Sequence, residues 1–220
     1  RLTAGIAHEI RNPLGAISHA AQLMSESEAI PDTDKRMTEI VLQNSARVNE
    51  VVQNILKLSR QDPPAPKPLM LTPWLEQLAE ELGQTHRLEP EQVLIQIEPE
   101  GTTVFADAGQ LRQIIEVLVD FHQPIDRLQL KLLAGITPES RGPFLEVHDN
   151  GKGIPAKDVQ QLFEPFFSTR HEGTGLGLYI ARQLSEANRI RLEYLSRPTG
   201  GSCFHMSFPN PKVKRRRKKT

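Results

Sequence analysis

Apolar residues recur at helical intervals over the first sixty positions and at intervals of two over much of the remainder, and that change of period divides the chain. Leu2, Ile6, Ile10, Leu14 and Ile17, then Val41, Val48, Val51, Ile55 and Leu58, are separated mostly by three, four or seven positions. That spacing gathers side chains on one helical face. Pro31-Asp32-Thr33, between the two sets, supplies a breaker and N-cap candidates. The pattern predicts a helical hairpin. Two helices cannot enclose a core, so the seam predicts a homodimer whose hairpins form a four-helix bundle.

Farther on, Val93, Ile95 and Ile97 alternate with polar residues, as do Leu128, Leu130 and Leu132, then Ile190, Leu192 and Tyr194, and finally Phe204, Met206 and Phe208. Each run is a strand with one apolar face, and Phe144-Leu145-Glu146-Val147 adds another. Helical stretches are expected around 74–83, 107–122, 156–163 and 176–188. The fold class that follows is an all-α helical hairpin, as a dimeric four-helix bundle, and then an α+β two-layer sandwich with helices on one face of a mixed sheet. The boundaries are a hairpin over 1–61, a Pro-rich linker over 62–70, a second domain over 71–209 and a basic tail over 210–220. Asp62-Pro63-Pro64-Ala65-Pro66-Lys67-Pro68 is stiff and poor in amide donors, which makes it the hinge candidate.

Composition narrows the class. With 27 basic and 27 acidic residues the chain is formally neutral, so no direct nucleic-acid partner is expected. Seven of those basic groups lie between Lys212 and Lys219, leaving a mildly acidic body and a tail that acidic membrane or nucleic acid would attract in a side role at most. Cys203 is the sole cysteine. Neither a disulfide framework nor a cysteine-based metal site is expected, and a reducing, cytoplasmic setting fits. No apolar run reaches the roughly 18–20 residues of a membrane span. Arg1, where a start Met would stand, marks a segment of something longer, with any sensor upstream.

Chemistry enters with His8. Imidazole is nucleophilic near neutral pH and leaves readily from a phosphoramidate, so it can accept a phosphoryl group and release it. Glu9 stands beside it as an acceptor for the other ring proton. Pro13 has no N–H to offer the Glu9 carbonyl, which bends the helix and presents His8. Asn12, one turn on, shares the His8 face and can orient a water for the reverse, dephosphorylating reaction. The run Ala7-His8-Glu9-Ile10-Arg11-Asn12-Pro13-Leu14 resembles the phosphoacceptor box of two-component sensor histidine kinases. The resemblance implies that His8 is the phosphorylated residue, Glu9 the base and Asn12 the residue supporting phosphatase action.

Two glycine segments complete the pattern. Asp149-Asn150-Gly151-Lys152-Gly153 follows a strand, so its carboxylate can accept from an exocyclic amine while the glycines allow a base to approach. Gly173-Thr174-Gly175-Leu176-Gly177-Leu178 leads into a helix whose free N–H groups and dipole suit phosphate oxygens. With Phe163-Glu164-Pro165-Phe166-Phe167 between them, the segments resemble the ATP-binding fold shared by histidine kinases, gyrase-like ATPases and certain chaperones. That resemblance implies adenine recognition by Asp149, room for the ring at Gly151 and Gly153, and phosphates wrapped by Gly173, Thr174, Gly175, Leu176 and Gly177. Phe163, Phe166 and Phe167 would anchor the lid, although Phe163 on an amphipathic helix reads equally as core. Only Ser168 to Glu172 separate Phe167 from Gly173. So short a lid is similar to that of the nitrogen-regulation subgroup, and Arg170 within it would reach a phosphate.

One departure stands out. The resemblance implies Mg²⁺-binding asparagines in the helix after Asp107, where Val117 and Phe121 stand instead. Neither offers a ligand to a hard cation. Glu116 and Asp120, one position earlier, would supply two carboxylates only after a shift of register. His122 also replaces a small residue.

The resemblance thus implies an ATP- and Mg²⁺-dependent protein-histidine kinase that passes phosphoryl from His8 to an Asp of a response-regulator receiver domain and also acts as its phosphatase. The alternative is a degenerate kinase working as a dimeric scaffold or phosphatase. Arg1 to His8 is similar to the pilus-gene branch of the family, which implies an enhancer-binding transcriptional regulator as partner. By the same resemblance, this is the cytoplasmic fragment of an inner-membrane sensor.

Overall fold

The structure is a computed structural model that describes residues 2–27, 31–59, 63–121, 127–138, 142–168, 173–198 and 200–209; side chains of 2–9, 32, 33, 55 and 57–59 fall outside that description. Two compact units result, one from residues 1–62 and 164–177, the other from 63–163 and 178–220.

In the first unit, helices α1 (Leu2–Glu26) and α2 (Asp32–Ser59) form the hairpin, and Pro13 lies within α1. Ala21, Thr38, Ser45, Val52 and Leu56 are buried. On α2, Thr38, Ser45 and Val52 recur every seven residues, so one heptad stripe meets α1 within the chain. The positions read from sequence as the seam lie elsewhere: Ile10, Ile17, Val41 and Val48 are exposed by 39, 47, 41 and 44 %.

The second unit opens with strand β1 (Lys67–Met70), followed by α3 (Leu71–His86), β2 (Val93–Glu98), β3 (Thr103–Ala106), α4 (Ala108–Phe121), β4 (Leu130–Ile136) and β5 (Pro143–His148). After α5 (Ala156–Val159) and α6 (Gly177–Ala187) come β6 (Arg191–Ser196) and β7 (Ser202–Ser207). The main sheet has order β2-β4-β5-β7-β6, while β1 and β3 form a separate antiparallel pair. Among the described strands of that sheet, β2 and β4 run parallel; β4-β5, β5-β7 and β6-β7 are antiparallel. The expected mixed sheet is present. Its buried face presents Leu130, Leu132, Leu145, Val147, Phe204 and Met206, and the core helices bury Leu71, Leu75, Leu78, Leu111, Ile114, Ile115, Leu118, Ile180 and Leu184.

Two expectations change. Residues 67–70, read as linker, are strand β1; Pro68 is tolerated there because the two-stranded sheet leaves its nitrogen side unpaired. Ala65, within the expected hinge, donates its N–H to Asp107 Oδ2 at 3.0 Å. The helix expected over 156–163 stops at Val159 and continues as tighter turns, with Gln161 N–H and Leu162 N–H donating to carbonyls three residues back. Arg170, His122 and the tail 210–220 lie outside the described residues.

The other face of the sheet carries a polar cluster. Along β5, Glu146 and His148 point the same way; along β7, so do Cys203 and His205. The register pairs Glu146 with His205 and His148 with Cys203. Glu146 accepts from both imidazoles, at 2.7 Å from His148 Nε2 and 2.8 Å from His205 Nδ1. These bonds hold its carboxyl down at about 2 despite partial burial. Burial, and then the Glu146 charge, pushes the Cys203 thiol up to about 12.

Candidate functional site: a nucleotide-binding loop and a phosphoacceptor hairpin

Asp149 emerges from the end of β5 and is only 3 % exposed. Its N–H donates to Ser202 O at 3.1 Å and its Oδ2 accepts Ser202 N–H at 3.1 Å. Its Oδ1 accepts Gly151 N–H, and its carbonyl accepts Arg197 Nη1 at 3.2 Å. An ionised carboxylate can accept about four hydrogen bonds, and two backbone amides here orient it rigidly. The next residue closes the neighbouring loop: Asn150 Oδ1 accepts Gln129 N–H at 2.9 Å and Nδ2 donates to Arg127 O at 2.8 Å.

The glycines serve close backbone approach. Gly201 N–H donates to Gly151 O at 2.7 Å. At Gly153, φ is +72° and a Cβ would stand 2.9 Å from the Gly201 carbonyl oxygen. At Gly201, φ is +78° and a Cβ would overlap the Asp149 carbonyl. Just beyond, Ile154 N–H donates to Tyr194 Oη at 2.9 Å. Gly201, Ser202, Arg197 and Tyr194 were not singled out by sequence, because sheet register brings them to this loop from some fifty residues away.

Phe163 belongs with an aromatic cluster around buried Phe204. Its ring meets Phe204 at 6.3 Å, edge to face, alongside Phe121 at 5.6 Å and Tyr194 at 5.5 Å. The Arg182 guanidinium lies 5.9 Å from the Phe163 centroid. Its core reading therefore has direct packing behind it.

Helix α4 settles where its side chains face. Asp107 caps it, with Oδ1 accepting Gly109 N–H and Gln110 N–H at 3.0 Å each. Phe121, two turns beyond Gln113 and one beyond Val117, packs on Phe204. The adjacent stripe turns to α3: Arg112 pairs with Glu81, and Asp120 lies 3.7 Å from His86 Nε2. Glu116, between them on that stripe, is exposed. Asp120 and Glu116, the carboxylates that a register shift would offer in place of asparagines, thus lie on the stripe beside α3 and not on the one that meets Phe204. Mg²⁺ requires oxygen ligands, and a stripe of Val117 and a Phe121 ring seated on Phe204 does not fit it.

In the first unit, the described residues 164–168 and 173–177 approach each other closely. Phe166 N–H donates to Gly175 O at 3.0 Å, and a Cβ on Gly175, where φ is +69°, would overlap the Phe166 backbone. Phe166 itself is 66 % exposed. Thr174 and Leu176 are buried. Thr174 Oγ1 lies 3.4 Å from both Glu50 Oε1 and Asn54 Nδ2, and Arg47 Nη2 donates to Gly173 O at 3.4 Å. Gly177 begins α6. On α1 the backbone of His8 and Glu9 is helical, with their side chains outside the description, and Asn12 is exposed.

Comparison with known proteins agrees with both units. Residues 1–64 match the His Kinase A (phospho-acceptor) domain, and residues 106–212 match the histidine kinase-, DNA gyrase B-, and HSP90-like ATPase. Sensor protein kinase PilS of Pseudomonas aeruginosa is 45 % identical over 217 residues, covering 96 % of this chain and 41 % of the relative. The chain thus spans under half the length of that relative. Histidine kinase ThkA, solved in complex with response regulator protein TrrA, aligns with TM-score 0.64 at 23 % identity, over 94 % of this chain and 60 % of that one. Full-length ShkA in complex with AMPPNP aligns with TM-score 0.63 at 22 % identity, over 94 % and 45 %. A phospho-acceptor hairpin followed by an ATPase sandwich makes this chain a member of the histidine kinase family.

Proposed function

We propose that this chain is the ATP-dependent kinase portion of a two-component sensor, which phosphorylates His8 and hands the group to an Asp of a response-regulator receiver domain. The observation that carries the reading is Asp149: a carboxylate buried at a strand end and oriented by Gly151 N–H and Ser202 N–H. Such an acceptor suits the exocyclic amine of adenine, with Gly151 and Gly153 leaving space beside it. Gly173, Thr174, Gly175, Leu176 and Gly177, with Arg170, would wrap the phosphates ahead of the α6 N-terminus. An imidazole nitrogen of His8 attacks the γ-phosphorus of ATP as the bond to the β,γ-bridging oxygen breaks; ADP leaves, and Glu9 takes the other ring proton. Asn12 then orients water in the phosphatase direction.

The complex of ThkA with response regulator protein TrrA supports a response-regulator partner; an enhancer-binding transcriptional regulator is the finer proposal, resting on the likeness of Arg1 to His8 alone. No helix among the described residues is long and apolar enough to cross a membrane.

A second reading has its own observation. Val117 and Phe121 offer no cation ligand, so transfer is slow or absent, and the protein acts as a dimeric scaffold or phosphatase. Incubation with γ-labelled ATP and Mg²⁺, beside a nucleotide titration, separates the two. Acid-labile label absent from His8→Ala and Asp149→Asn supports the kinase. Binding without label supports the second reading. Failure to bind nucleotide would overturn the assignment of Asp149.

A further inference from the structure

The outer face of the sheet, across β5 from its buried apolar face, holds ligand chemistry that phosphoryl transfer does not use. Glu146, His148 and Cys203 each offer one donor atom, and the three atoms lie within 4.8 Å of one another. We propose that these three side chains bind a thiophilic divalent cation, Zn²⁺ by ligand type, with His205 fixing the Glu146 carboxylate from behind. The expectation from sequence that no cysteine-based metal site exists considered thiolates in number. Sheet register instead supplies one thiolate, one imidazole and one carboxylate.

The donor set is that of zinc. Tetrahedral Zn²⁺ takes sulfur at about 2.3 Å and nitrogen or carboxylate oxygen at about 2.0–2.2 Å, which sets S···N and N···O edges of roughly 3.5 and 3.3 Å. Cys203 Sγ already stands 3.5 Å from His148 Nε2. The His148 Nε2 to Glu146 Oε2 edge is 2.7 Å, a hydrogen bond that must open by roughly half an ångström to admit the ion. A small rotation of the carboxylate achieves that. Oε1 of the same carboxylate accepts from His205 Nδ1 at 2.8 Å, and His205 Nε2 meets Ser207 Oγ at 3.0 Å. This is the outer-shell support that orients metal-bound carboxylates. The fourth position is left for water, since the Glu146 and His148 side chains keep 15 % exposure each.

The scaffold is rigid. All three ligands come from β5 and β7, hydrogen-bonded neighbours within the main sheet, and His148 and Cys203 are register partners. Rigid placement lowers the ordering cost of assembling a site. The binding step balances as Zn²⁺ joining the thiol sulfur while the S–H proton passes to solvent, and joining His148 Nε2 while the proton that nitrogen gave to the Glu146 hydrogen bond moves to Nδ1 of the same neutral ring; no electron moves.

The test uses the full chain without an affinity tag, stripped by chelator and dialysed into Mg²⁺ buffer, then titrated with Co²⁺. The expected result is one equivalent bound, with a sulfur-to-cobalt charge-transfer band and the intense d–d absorption of tetrahedral geometry, both bleached by Zn²⁺. Cys203→Ser abolishes the charge-transfer band. His205→Ala keeps the band but weakens binding about ten- to hundredfold, as loss of an outer-shell partner does. Thermal unfolding of each variant without metal checks that the sheet is intact. Absence of the band in the parent protein, or unchanged affinity in folded Cys203→Ser, would overturn the site.

Discussion

Phe121 shows how one side chain trades chemistry for packing. Where the resemblance implied an asparagine ligand, this chain puts a ring that meets the fully buried Phe204 edge to face at 5.6 Å. Deleting a buried Phe side chain costs about 3–5 kcal/mol, and half-burial places Phe121→Ala near or below the low end of that range, about 2–3 kcal/mol. Urea unfolding should report this loss; a loss under about 0.5 kcal/mol would mean the ring contributes no packing. Gly201 is a second residue under strict demand, because its φ of +78° and the nearby Asp149 carbonyl leave no place for a Cβ. Gly201→Ala should therefore displace Ser202 from Asp149 and abolish nucleotide binding in calorimetry while the hairpin stays helical. Undiminished binding would show that this turn does not position the carboxylate. Asp149 was legible because its spacing to Gly151 and Gly153 is local. Its partner Ser202 was not, being 53 positions away.

Helix α4 carries the next prediction, at its first turn. Asp107 accepts Gly109 N–H, Gln110 N–H and Ala65 N–H. Its carboxyl is held below the ordinary aspartate range, chiefly by the Ala65 and Gln110 amides. A carboxyl lowered by folding adds stability that is complete above its unfolded value and is lost as pH falls toward the folded one. Asp107→Ala should cost about 1 kcal/mol at neutral pH, the usual worth of an N-cap. That difference should hold down to about pH 4 and shrink below it. Denaturant unfolding from pH 7 to 3 checks it; a difference that grows on acidification has the wrong sign. Elements with strong periodicity, such as α4 and β5, were readable because burial imposes the period. β1 was hidden by Pro66 and Pro68, which in a sequence look like linker, and β3 by its short length of four residues. The end of α5 depended on a switch to tighter hydrogen bonds that no composition signals.

At the scale of the molecule, the hairpin has a surface that one chain cannot cover. Heptad positions Thr38, Ser45 and Val52 are already buried, whereas Ile10, Ile17, Val41 and Val48 remain 39–47 % exposed. Covering what remains of each gains roughly 1 kcal/mol. Two copies contribute eight such positions, and the total of roughly 8 kcal/mol matches micromolar self-association before ordering costs. A second copy is the fitting occupant, because the exposed residues repeat at intervals of seven on both helices and so suit the seam of a four-helix bundle. The chain should therefore sediment as a dimer at tens of micromolar, and the double variant Ile17→Lys, Val48→Lys should sediment as a monomer. Nucleotide binding should survive in that variant, since Leu75, Leu111, Ile115 and Phe204, the core around the ATPase sheet, all belong to the second unit and neither substitution does. Persistent dimers would place the interface elsewhere, and a monomeric parent chain would remove the four-helix bundle altogether. The paired readout matters for the function: lost phosphorylation together with intact nucleotide binding would tie transfer to the paired hairpins, whereas full phosphorylation by the monomer would show that one copy suffices.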